Sequence, residues 1–153
     1  MRVKLLFHYI SYFQYPLMLM ALLFVLKPYM YGFDNNSESM DSIVKNMNNV
    51  LIFLGLGISF STLQDTSKTQ NKMSKNIWGD PLKGKIAIFV LSLMTLIFIT
   101  IGLLGYFSGN DNNLKDLSIG IIVLGIGLIG MLKSAVEMFD YHRLDKSFPA
   151  DNK

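Results

Sequence analysis

The chain has 153 residues, 51% of them apolar and 16% charged, with a net charge of +3 and no cysteine. The missing thiols exclude disulfides, thiolate catalysis, iron–sulfur clusters and the common cysteine zinc sites. The small charge, with lysines not interleaved with aromatics, excludes a nucleic-acid-binding groove.

Four stretches, Leu5 to Leu26, Asn46 to Gln64, Ile86 to Asn110 and Leu117 to Leu132, hold no Asp, Glu, Lys or Arg, so all 25 charged residues fall in the other 71. A soluble helical domain interleaves charged and apolar residues, because each surface helix needs a polar face. Here the division runs by segment, the pattern of a polytopic membrane protein. In lipid the backbone must satisfy its own hydrogen bonds, and a helix of about 20 residues crosses a hydrocarbon core of about 30 Å. The predicted fold is all-α: one domain, a bundle of four transmembrane helices spanning about 5–26, 47–64, 86–107 and 117–137.

Arg2 and Lys4 precede the first run, which is longer than a signal-peptide core and is followed by no A-x-A-like site, so it is read as a mature span. Lys27-Pro28 predicts its end, since the residue before proline is pushed out of the α region. Pro16 predicts a kink by removing a hydrogen bond and crowding the carbonyl of Tyr12. Tyr9 and Tyr12 at one end, and Tyr29 and Tyr31 at the other, are expected to anchor the span at the two headgroup levels.

Ser37 is the expected N-cap of the second helix, with Glu38 and Asp41 in its first turn, where the helix dipole favours anions. Gly55, Ser59 and Thr62 give this helix a small-residue face. Nothing before Gly79 breaks it, so a helical continuation past the span is expected. Residues 65–85 form a basic loop with Lys68, Lys72, Lys75, Lys83 and Lys85. Within it, Gly79-Asp80-Pro81 reads as a helix stop followed at once by an N-cap and a proline in the first turn, which places Trp78 at the interface.

Asn113 is the expected cap of the fourth helix, which should run past Leu132 through Phe139 on good helix formers, and residues 147–153 read as a flexible tail. No internal repeat stands out. With four spans, the N-terminus, the middle loop and the C-terminus share a side and hold 11 of the 14 Lys and Arg residues. The positive-inside rule then puts both termini in the cytoplasm. Lysine far exceeds arginine and asparagine is abundant, a composition associated with AT-rich bacterial genomes, so the expected location is the plasma (inner) membrane.

Four groups of residues are candidates for chemistry. At 100° per residue, Gly120, Gly127 and Ser134 form one stripe with Gly130 beside it, a groove for packing within the bundle or between copies. Ser92, Thr95 and Gly102 make a comparable face on the third helix. His8 and His142 lack the spacing of a metal site, and His8 is read as lying at headgroup depth and His142 as part of the C-terminal helical extension. The Asn110 to Asp116 link has two carboxylates and no distal glutamate, so it is read as a turn and cap instead of a calcium loop. Lys133 and Glu137 are read as a solvated i,i+4 pair.

No charge falls near the middle of any span, although ion-coupled transporters and proton relays carry such groups there. Nor does the chain hold a metalloprotease motif, nucleophile elbow or phosphate loop. The expectation is a non-enzymatic accessory, assembly or immunity-type component. It would work through protein–protein contacts, with the lipid bilayer and a membrane protein or its own copies as partners, and without cofactor, metal or nucleic acid. The alternative is an oligomeric small-ion channel lined by hydroxyls such as Ser59, Ser61, Thr62, Ser92, Thr95 and Thr100.

Overall fold

A computed structural model describes residues 2–31, 37–65, 72–109 and 111–144. The described residues form helices only: α1 (Arg2–Ser11), α2 (Gln14–Tyr31), α3 (Ser37–Ser61), α4 (Lys72–Gly79), α5 (Pro81–Ser108) and α6 (Asn112–His142). Four stretches are long and apolar enough to cross a membrane: Leu6–Pro28, Asp41–Ser61, Pro81–Ser108 and Asn112–His142.

The first span is in two pieces. Its break falls at Tyr12 and Phe13, one turn before Pro16. Pro16 has no N–H to offer the Tyr12 carbonyl, and the N–H of Tyr15 takes that carbonyl at 3.1 Å in a tight turn. Pro16 therefore sits in the first turn of α2, where a missing donor costs little. The expected stop at Lys27-Pro28 is incorrect, because α2 continues through Pro28 to Tyr31. One lost hydrogen bond near a helix end is tolerated in a membrane helix.

The expected continuation of the second helix is also corrected, since α3 ends at Ser61 and residues 62–64 form a turn. Two hydroxyls take up carbonyls near this end, Ser59 Oγ donating to Gly55 at 2.9 Å and Thr62 Oγ1 to Ser59 at 2.7 Å. The N–H groups of Leu63 and Gln64 then bond three residues back, which tightens the terminus into a turn. The separate helix α4 follows. At the next junction Asp80 is extended (φ −90°, ψ 117°) and its carboxylate accepts from the N–H groups of Leu82 and Lys83. Asp111, not Asn113, caps α6, accepting from the Asn113 N–H at 3.2 Å. Asp111 is the better placed because Asn113 lies inside the first turn. α6 runs on to His142.

Contacts along the helices fix their directions. Phe13 meets Phe60, and Phe24 meets Phe53, so α2 and α3 are antiparallel. Gly84 lies on Phe139, Gly102 on Ile122 and Gly105 on Ser118, so α5 and α6 are antiparallel. α3 and α6 run parallel. The major packing contacts join α2 to α3, α3 to α6 and α6 to α5, so the spans lie in the order α2–α3–α6–α5, with no comparable packing between α2 and α5. The start of α2, the ends of α3 and α6, helix α4 and the start of α5 thus gather at one end of the molecule.

The α3–α6 seam keeps one register throughout. Asp41 meets Asn113, Asn48 meets Gly120, Gly55 meets Gly127 and Thr62 meets Ser134, each pair separated by 72 residues. These contacts recur every seven residues. An ideal straight helix drifts about 20° per heptad, so holding four of them in register requires a left-handed winding of the two helices. From Asp41 to Thr62 the seam is about 32 Å long, close to a hydrocarbon core of about 30 Å.

The same offset of 72 carries Phe53, which packs on Phe24 of α2, onto Gly125, which packs on Ile99 of α5. The contacts that α3 and α6 make with their outer neighbours therefore fall at equivalent positions of the two central helices.

Small side chains fill the interior. Apart from glycine, the buried residues are Ser11, Ala21, Asn46, Thr95, Ser118, Ala135 and Phe139 among those described. Large apolar side chains such as Phe89, Leu96 and Leu104 are exposed. In lipid their exposure has no hydrophobic cost, and small residues allow the backbones to approach.

Candidate functional site

A cleft of about 480 Å³ lies at the α4 end of the bundle, a size typical of small-molecule pockets. Each span contributes to it. α2 supplies Met18, α3 supplies Ile58 and Ser61, and α5 supplies Leu91. α6 supplies Met131, Ser134, Ala135 and Met138, while α4 closes one side with Ser74 and Trp78. Thr62, Gln64 and Asp65 come from the turn that ends α3.

The sequence places these residues together for local reasons. The turn after Ser61 carries Gln64 and Asp65 out of the helix. At Gly79 the end of α4 comes close to the end of α6, where an added Cβ would meet Leu144 at 3.8 Å and the His142 carbonyl at 4.0 Å. Gly84 then receives the ring of Phe139, and the Arg143 guanidinium lies 5.6 Å from that ring's centroid. This contact fixes the start of α5 against α6 at the cleft's edge.

The polar groups of the cleft are largely engaged in structure. Ser134 Oγ donates to the Thr62 carbonyl at 3.3 Å, and Thr62 Oγ1 donates within its own turn. Asp65 is the only carboxylate of the lining among the described residues. Among the described residues no group of three His, Cys, Asp or Glu side chains could hold a metal ion. The arrangement is that of an adaptable apolar binding site with a polar end, methionines supplying the flexible lining.

The remaining residues singled out from sequence fall elsewhere. Gly55, Gly120, Gly127, Gly130, Thr62 and Ser134 all meet across the α3–α6 seam within one chain. A methyl group on Gly127 would strike the Gly55 carbonyl, so the two backbones touch. Ser59 turns its hydroxyl back to its own helix. On the opposite side of α6, Ser118, Gly125 and Phe139 meet Gly105, Ile99 and Gly84 of α5. Thr95 is buried and donates to the Leu91 carbonyl at 2.7 Å.

Tyr9 and Tyr12 are exposed, and the Tyr12 hydroxyl lies 3.3 Å from His8 Nε2. Trp78 is half-buried in the cleft wall. The side chains of Tyr29 and Tyr31, and the whole of Lys68 and residues 147–153, lie outside the described residues. Lys72, Lys75 and Lys85 are exposed, and Lys83 pairs with Asp80 at 3.2 Å. That pairing, followed by the two backbone N–H bonds, holds the Asp80 carboxyl below the usual carboxylate value. Lys133 and Glu137 form their ion pair at 3.2 Å on the exposed side of α6.

Sequence reasoning missed the cleft, because Met18, Met131 and Met138 read there only as span residues. It also missed the tie from Asn113 Nδ2 to Asp41 Oδ1 at 2.6 Å. The seven-residue spacing from Asn113 through Gly120 and Gly127 to Ser134 was the available signal.

Fold and site together define an all-α multi-pass membrane protein with a lateral apolar cleft near one end. Comparison with known protein families, curated sequences and solved structures gave no match.

Proposed function

We propose that this protein is a non-enzymatic accessory component of a bacterial plasma (inner) membrane, with both termini cytoplasmic, that acts by contact with a membrane-protein partner. The observation that carries the reading is how the spans use their polar groups. The two central helices touch backbone to backbone along the seam, and Ser59, Thr62, Thr95 and Ser118 spend their hydroxyl protons on their own helices. Among the described residues these hydroxyl protons are thus committed to the helices themselves, which supports a role played at the protein's surfaces.

Recognition falls to the surfaces. α5 flanks the row with Phe89, Leu93, Leu96, Leu104 and Phe107 exposed along one helical stripe, suited to a helix of another membrane protein. The basic connection and α4 add Lys72, Lys75 and Lys85 at the end with the excess of positive charge, which supports its cytoplasmic placement.

Photo-crosslinking from Phe89 and Leu96 in cells, combined with the mass of the purified protein in mild detergent, tests this. A crosslink to one defined heterologous membrane protein, from a chain that is otherwise monomeric, is the expected result. A symmetric homo-oligomer that conducts ions in liposomes would replace the accessory reading with the channel alternative.

A further inference from the structure

The cleft lies at a particular depth in a membrane. The uncharged part of α5 begins at Ile86, and Leu91 on the cleft wall is five residues further along, about 8 Å down the axis. That places the cleft within one leaflet of a hydrocarbon core of about 30 Å. On α6 the lining runs from Met131 to Met138, about 10 Å of the same leaflet.

The polarity is graded along the cleft. Gln64 and Asp65 follow the end of α3 and Ser74 belongs to α4, Thr62 and Ser134 lie next with their hydroxyl protons donated to backbone carbonyls, and Met18, Leu91 and Met131 lie within the spans. Met18 and Leu91 come from the two outer helices, which have no packing comparable to that along the row. The cleft thus has the polarity gradient, depth and side access of a site for a chain that is apolar along its length and polar at one end.

We propose that the cleft is a lipid site, taking one acyl chain of a phospholipid from the leaflet at the α4 end, with the headgroup at Gln64 and Ser74. The unbranched, polarizable methionines accommodate a flexible chain. α4 acts as the wall at the headgroup level, with Trp78 turned to the cleft and Lys72, Met73 and Lys75 exposed on its other side. The site requires only the membrane placement of the four helices and stands whether or not the accessory role does.

Trp78 is the single tryptophan of the chain and lines the cleft, so it reports directly on the occupant. The detergent-solubilised protein is titrated with phosphatidylcholine brominated on its acyl chains while Trp78 fluorescence is followed. The expected result is quenching that saturates at one lipid per chain and is reversed by excess unbrominated phosphatidylcholine. Met131→Phe and Leu91→Phe, which narrow the cleft from two different helices, should each raise the half-saturating lipid concentration about tenfold with helical circular dichroism unchanged. Quenching that only follows the mole fraction of brominated lipid, or that is equal in wild type and both folded variants, would overturn the proposal. So would a Trp78 open to acrylamide and insensitive to bromine, which would mean a water-filled cleft.

Discussion

Gly55 and Gly57 stand two residues apart on α3, yet a methyl group added to each meets very different neighbours. At Gly55 the new Cβ would lie 2.6 Å from the Val123 carbonyl oxygen, 2.7 Å from its carbon and 2.8 Å from Leu124 Cα, all backbone atoms of α6. At Gly57 it would meet only the flexible Met18 side chain, at 3.3 Å and beyond. Ordinary contact begins near 3.4 Å, so Gly55→Ala must push α3 and α6 apart by roughly 0.8 Å. A gap of that order forfeits a quarter to a half of each dispersion contact along the seam, and overpacking costs about 1–3 kcal/mol. Alanine returns up to about 1 kcal/mol through its better helix propensity. The net expectation is a loss of about 1–2 kcal/mol for Gly55→Ala and a change within about 0.5 kcal/mol for Gly57→Ala. Unfolding in mixed micelles of increasing dodecyl sulfate content, followed by circular dichroism, measures both. Equal stability of the two variants would refute the backbone-contact seam. If Gly55→Ala instead altered oligomer mass and left monomer stability untouched, the glycine stripe would be an interface between copies.

Phe139 is the one large buried side chain among those described, seated on Gly84. Phe139→Ala should therefore cost about 3 kcal/mol, roughly 150-fold in the unfolding constant, in the same micelle titration. A cost below about 1 kcal/mol would mean that the α5–α6 lock is unimportant. Asp80→Ala should lower thermal stability by removing the cap of α5. Because the Asp80 carboxyl is held below its ordinary 3.8, its contribution is full above that value and fades as pH falls through the lowered one. The gap between variant and wild type should therefore close in strong acid, and a gap that widens there would contradict the cap. The chain has no cysteine, so Lys75→Cys and Asn112→Cys give single labelling sites. In intact cells an impermeant maleimide should reach the second and not the first, and the reverse pattern would invert the proposed topology.

Much of the fold was legible because the membrane imposes it. Runs without charge had to become helices, and the Gly79-Asp80-Pro81 junction encodes its own stop, cap and start. What escaped was helix continuity at polar or proline positions. Pro28 lies within α2, where local preference for a break yields to the requirement for an internally bonded helix. α3 ends at Ser61, where the N–H groups of Leu63 and Gln64 bond three residues back in a turn that periodicity does not record. The spatial order of the spans was equally hidden. Gly120 and Gly127 read as a packing stripe, but only the constant offset of 72 residues identifies its partner and shows that the partner runs parallel. The cleft depends on five helices meeting, so no single segment carries its signature.

The parallel register of α3 and α6 is tested most directly by disulfide trapping in a chain with no native thiols. Asp41→Cys with Asn113→Cys places two thiols at a contact of 2.6 Å between the native side chains. Asp41→Cys with Ser134→Cys separates them by about 32 Å of seam. Mild oxidation in native membranes should form an intramolecular disulfide in the first pair and none in the second, scored by mobility after cleavage at a protease site inserted between residues 66 and 71. A disulfide within the second pair, or failure of the first in a folded protein, would contradict the parallel seam on which the bundle is built.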